Sequence, residues 1–152
     1  MKSIVVLAAS AVVLAAAPAV AQDYSQSPNF GTVRLSSGFT PDPRTVEVIA
    51  GGSIDAGRAA SGCAGNISNA PDLRVNWTGG GSLPLIFSTR SGEDTTLVIN
   101  GPDGRWYCDD DSGGALNARV RFNNPSSGQY DIWIGTYGQS PAPAVLSISE
   151  LQ

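Results

Sequence analysis

"ARVRFN", residues 118–123, alternates side chains two by two: Val120 and Phe122 point one way, Arg119 and Arg121 the other. A period of two is that of a strand with one buried and one wet face. The same alternation recurs along the chain, and no stretch carries a convincing helical period. The clearest strands are 32–36, 44–50, 73–78, 83–90, 94–100, 105–109, 118–123, 129–137 and 144–151. Clusters rich in Gly, Pro, Ser, Asn and Asp separate them and read as turns: "SGFTPDP", "TGGGS", "NGPDG", "NPSSG" and "GQSPAP". In "GPDG", Pro102, Asp103 and Gly104 suit the second, third and fourth positions of a type I turn, so 94–109 is expected to be a hairpin. Short, regularly spaced strands of this kind predict an all-β, single-domain β-sandwich of jelly-roll type.

The chain has 152 residues. Its first 21 read as a secretory signal: Lys2, an apolar run from Ile4 to Ala17, and a small-residue cleavage pattern ending at Ala21. Residues 22–29, "QDYSQSPN", are expected to be a flexible lead-in to a domain over 30–152, and a secreted or periplasmic location follows. Removing the signal takes away Lys2, the only lysine, and leaves eight Arg against 13 acidic residues, a net charge of −5. That disfavours nucleic acid, which needs clustered cations. No other apolar stretch approaches the roughly 18 to 20 residues of a membrane span. The two cysteines, Cys63 and Cys108, bound for an oxidising compartment with no C-x-x-C pair, predict a disulfide. It would pin the longest connection, 55–72, beside the run "WYCDDD" (106–111).

That run raises the question of function. Three adjacent carboxylates, Asp109, Asp110 and Asp111, repel one another and favour a cation. With Asp94 and Asp103 nearby they form a candidate Ca²⁺ site, although the spacing is not that of an EF-hand: Gly113 and Val120 stand where ligands belong. A solvated acidic turn explains the same residues. There is no histidine in the chain, which removes Ser-His-Asp and Cys-His catalysis and leaves only a carboxylate pair as a hydrolytic device. Trp106, Tyr107 and Trp133 could line a carbohydrate or protein docking surface; core packing is the alternative.

The segments "PDLRVNW" (71–77), "EDTTLVINGPDGRWYCDDD" (93–111) and "SGQYDIWIGTY" (127–137) together resemble the bacterial pre-peptidase C-terminal (PPC) domain. The likeness is closest to the stand-alone secreted proteins of that type. It covers about residues 30–152. The resemblance implies a jelly-roll sandwich that is an accessory to secreted peptidases in many relatives and binds Ca²⁺ and a protein substrate in some. No peptidase precedes the domain in this chain, and a serine-peptidase role is excluded by the missing imidazole. The expectation is therefore a secreted, non-catalytic module, with Ca²⁺ as its candidate stabilising ion, that recognises an extracellular protein or polysaccharide. A self-assembling surface or periplasmic protein is the alternative, and a carboxylate-pair hydrolase a further one.

Overall fold

The computed structural model describes residues 22–152; the expected signal segment lies outside the described residues. Twelve elements follow in order: β1 (Thr32–Ser36), β2 (Arg44–Ala50), β3 (Ile54–Asp55), α1 (Ala56–Ala59), β4 (Asn66–Ile67) and β5 (Leu73–Thr78). After them come β6 (Leu85–Ser91), β7 (Thr95–Asn100), β8 (Trp106–Asp109), β9 (Arg119–Phe122), β10 (Gly128–Thr136) and β11 (Ala142–Ser149). Nine of these are the strands read from the sequence, shifted at the ends by no more than two residues.

One sheet has the order β2-β11-β6-β9, and the other runs β5-β10-β7-β8 with β1 added in parallel outside β5. Between β2 and β11, the chain crosses from sheet to sheet between successive long strands except at the β7–β8 hairpin. That is jelly-roll connectivity. The hairpin turns where "GPDG" requires: Gly104 N–H donates to Gly101 O at 2.9 Å, with Gly104 at φ 72°.

The alternation explains the core. Val46 and Val48 of β2, Leu73, Val75 and Trp77 of β5, and Leu146 and Ile148 of β11 all point between the sheets. Phe87, Phe122 and Tyr130 meet there with ring centroids 5.1–6.0 Å apart. Strands β7 and β10 are buried on both faces. Their second face is covered by residues 52–70, which fold over the larger sheet as a roof holding β3, α1 and β4. This connection, the longest in the chain, makes its own small core with β7 and β10 from Ala56, Cys63, Ile67, Val98 and Trp133. A Cβ on Gly135 would overlap Thr96 Oγ1 on the neighbouring β7 and lie 2.9 Å from Ile67 Cγ2 in the roof, so glycine fits there without a shift of either side chain.

Residues 22–29 are not a loose lead-in. Asn29 N–H donates to Pro71 O at 2.8 Å, its side-chain amide to Asp72 Oδ1 at 3.0 Å, and the Arg74 guanidinium reaches Tyr24 O at 2.5 Å.

Asp72 is the buried node of this tie, 1 % exposed, and also accepts from Ile134 N–H at 2.8 Å and Ser68 Oγ at 3.3 Å. Burial raises its pKa to about 6, against the partial relief given by these donors. Between roughly pH 4 and 6 the folded protein therefore holds a proton that the unfolded chain has released. Stability should fall as pH rises through that window, by up to about 3 kcal/mol from this group. Denaturant melts at pH 4.5 and 7 should show the fall in the wild type and a smaller one in Asp72→Asn. Equal pH dependence in the two proteins would contradict this assignment.

Candidate functional site

The β7–β8 hairpin separates the five candidate metal ligands. Asp103 sits at its tip, where it accepts from Tyr107 Oη at 2.7 Å and from Arg105 N–H at 3.1 Å, and these bonds hold its pKa below the usual value. Asp109 lies at the other end, paired with Leu97 three ladder steps from the Asn100–Trp106 pair, or roughly 10 Å away along the strand. Its carboxylate is committed to the chain's own turn: Oδ2 accepts from Ser112 N–H at 2.9 Å and Arg119 N–H at 2.7 Å, and Oδ1 from Ser112 Oγ at 2.5 Å. Asp94 lies near Asp110 and Asp111: its pKa is raised by desolvation and then by the negative charges of Asp111 and Asp110. One Asp94 oxygen is covered without a partner.

Among the described residues no three His, Cys, Asp or Glu side chains come together as a metal cluster. The five carboxylates are thus divided between two ends of a hairpin, and Asp103 does not join the others. Asp110 and Asp111 lie near Asp94 without forming such a cluster, and melting curves test the calcium expectation. A bound ion at about 100 times its Kd adds roughly 2.7 kcal/mol. The calcium reading expects a rise in Tm with millimolar calcium, smaller with magnesium, and lost in Asp110→Asn/Asp111→Asn. Equal, small shifts with both ions would identify a solvated acidic turn.

The candidate docking aromatics are used for packing. Trp133 points outward from the larger sheet, but the roof buries it completely (0 % exposed). Trp106 packs on it with ring centroids 5.3 Å apart and planes tilted by 45°, and Tyr107 faces the opposite way to pack on Phe122 at 4.8 Å. Trp133 is therefore no docking residue in this fold. The Cys63–Cys108 disulfide is formed, with Cα atoms 5.4 Å apart, and fastens the roof to β8 beside this tryptophan pair. The geometry lies within the usual Cα range for such bridges.

The roof leaves one sheet face open, the outer side of β2-β11-β6-β9. A groove of ≈ 710 Å³ crosses it, bordered by Thr45, Ser88, Arg90, Arg119 and Ser147, with the Gly113–Gly114 backbone as one wall. Cross-strand register explains the gathering: Ser88 stands opposite both Arg119 and Ser147, and Ser147 opposite Thr45. Arg90 and Arg119 form no ion pair among the described residues, whose salt bridges are Arg74–Asp131 and Arg105–Asp103. The wet face of "ARVRFN" was the sequence signal for this surface; Arg90 and the two serines were missed because only strand pairing brings them beside it. A smaller groove, ≈ 290 Å³, lies by Glu93, Asp94 and Tyr137.

No family model matches the chain, and no curated protein matches it in sequence. Solved structures do show a likeness. The pre-peptidase C-terminal domain of a collagenase from Bacillus anthracis aligns over 82 % of this chain and 100 % of its own, at 13 % identity and TM-score 0.44. PliG from Aeromonas hydrophila, a periplasmic inhibitor of g-type lysozyme, aligns over 78 % of this chain and 96 % of its own, at 9 % identity and TM-score 0.39. At these identities and scores neither likeness says what this chain does. Among the described residues no helix is long and apolar enough to cross a membrane.

Proposed function

We propose that this protein is an exported, non-catalytic binding module that presents the outer face of its four-stranded sheet to an extracellular protein or polysaccharide. The observation that carries the reading is the asymmetry of the sandwich: one outer face is roofed by the disulfide-fastened segment, the other is an open groove with two unpaired arginines. A concave face with a few placed polar groups is a surface shaped for a ligand. The lack of histidine supports a non-catalytic role, and the polar end of the groove is lined by no Asp or Glu that could serve as an acid pair. The disulfide is consistent with export to an oxidising compartment.

Photocrosslinking tests this. A crosslinking group at Ser147, inside the groove, and a control at Arg58, on the roof, would be exposed to exported proteins and envelope polysaccharides of the producing cells. Crosslinks formed from Ser147 and not from Arg58 are expected. Adducts from both positions alike, or from neither, would contradict the reading.

A further inference from the structure

The groove continues past its cationic end. Arg90 and Val145 also border a second depression of ≈ 440 Å³, whose other walls include Phe30, Ile49 and Pro143, with Glu47 its one acidic wall residue. Phe30 and Ile49 are 37 % and 52 % exposed, which makes this end an apolar surface open to solvent. The trough is thus apolar at its Ile49 end and positively charged at its Arg119 end, with Glu47 and Arg90 on opposite sides of Val145 between them. Ladder register orders it in rows: Ile49 beside Pro143, then Glu47, Val145 and Arg90, then Thr45, Ser147, Ser88 and Arg119. With strands about 4.8 Å apart and two residues rising about 6.8 Å, Ile49 and Arg119 are roughly 20 Å apart. About six extended residues cover that distance.

We propose that the trough binds an extended protein segment of about six residues, apolar at one end and carboxylate-bearing at the other. The proposal rests on the binding-module reading above and names its ligand class. Arg90 and Arg119 are free of internal ion pairs in a chain whose overall charge is −4, so they are available to carboxylates that the rest of the surface repels. Arginine is suited to this because its planar fork holds a carboxylate through two parallel hydrogen bonds. Phe30 and Ile49 meanwhile offer burial to an apolar side chain, each good for part of the usual hydrophobic gain.

Other occupants satisfy only half of this surface. A neutral polysaccharide would find a single exposed aromatic ring in the trough, Phe30, and would leave both arginines without a charged partner. An acidic polysaccharide would pair with the arginines and leave the Ile49 end empty. A second copy of this chain has an apolar-to-acidic run at 106–111, but that run is held in β8 and its turn.

Fluorescence anisotropy with the mature protein tests the proposal. The probes are a library of labelled hexapeptides with apolar residues at one end and Asp or Glu at the other, the same peptides with Asn and Gln replacing the acids, and polygalacturonate. Acidic peptides should bind, their amide counterparts at least about tenfold more weakly, as expected for loss of charge-assisted bonds. R90Q/R119Q should weaken the acidic peptides by a similar factor, and I49S should weaken them without altering their salt dependence. Melting curves check that each variant is folded, and E93Q, outside the trough, should bind as the wild type does. Binding of polygalacturonate alone, lost in R90Q/R119Q, would overturn the ligand class while keeping the binding face. A concentration-dependent dimer abolished by R90Q/R119Q, with no peptide bound, would replace the partner by a second copy. Absence of any binding, or binding indifferent to Arg90 and Arg119, would sink both the ligand class and the face.

Discussion

Replacing Arg74 with alanine is expected to lower the stability by about 3–5 kcal/mol, because it strands a buried carboxylate. Asp131 is 2 % exposed, and its Oδ1 lies 2.7 Å from Arg74 Nε in the directly opposed pair of β5 and β10. Gln129 Nε2 donates to the other oxygen at 2.7 Å, which satisfies a lone pair but supplies no charge. The same guanidinium donates to Tyr24 O at 2.5 Å and Gln26 O at 3.3 Å, so the substitution also releases the N-terminal segment from the sheet. For a domain of this size the loss corresponds to a fall in Tm on the order of 10 °C. Removing both charges should cost less than removing one, since a neutral pair leaves no unpaired ion. Arg74→Met/Asp131→Leu should therefore melt above Arg74→Ala. A thermal melt of the single variant within a degree or two of the wild type would contradict the account of this pair.

The second large effect concerns the roof. Cys63 and Cys108 are 45 residues apart in sequence, and the chain-entropy account of closing such a loop gives about 4 kcal/mol. Cys63→Ala/Cys108→Ala should lose most of that. The loss should also be local in character. Trp133 and Trp106 are packed beneath the segment that the bridge fastens, so the variant's tryptophan emission should shift to the red well before global unfolding in denaturant. The wild type should show one transition. A loss under about 1 kcal/mol, or no early emission change, would mean that Ile67 and Ala56 hold the roof without the bridge.

The strands were legible because alternation survives wherever one face is wet. "RTVEVIA" and "LRVNWT" place every second residue in the core, and their ends match the observed elements. In β10 the parity was also readable: Trp133 does lie on the opposite face from Tyr130 and Ile132. Its burial was not readable, since the cover comes from residues 52–70, whose Ala, Gly and Ser carry neither period. A short helix of four residues capped by Asp55 leaves almost no pattern to detect. The jelly-roll class followed from strand spacing, but the pairing of β2 with β11 and β6 with β9 joins segments far apart in the chain. That pairing is what assembles the groove, so its arginines and serines could be seen singly and not as a site.

The aspartates illustrate the opposite difficulty. Three adjacent carboxylates look like a ligand set, yet the side chain of Asp109 closes a local turn with Ser112 and takes the Arg119 amide. Short-range bonds of this kind are common for Asp and compete with any external ion. Asp103 likewise serves Tyr107 and Arg105 at the far end of the hairpin. Asp109, Asp110 and Asp111 remain neighbours, and the length of β8 separates Asp103 from them.

The central claim is that the open face of the four-stranded sheet is where this protein meets its partner. Amide chemical shifts recorded during titration with the tightest acidic hexapeptide test it most directly. The account predicts perturbations centred on Ser88, Arg90, Arg119, Val145 and Ser147, extending to Ile49, with the roof at 56–67 unmoved. Perturbations confined to the hairpin at 109–114, to the β1 edge or to the roof would contradict it.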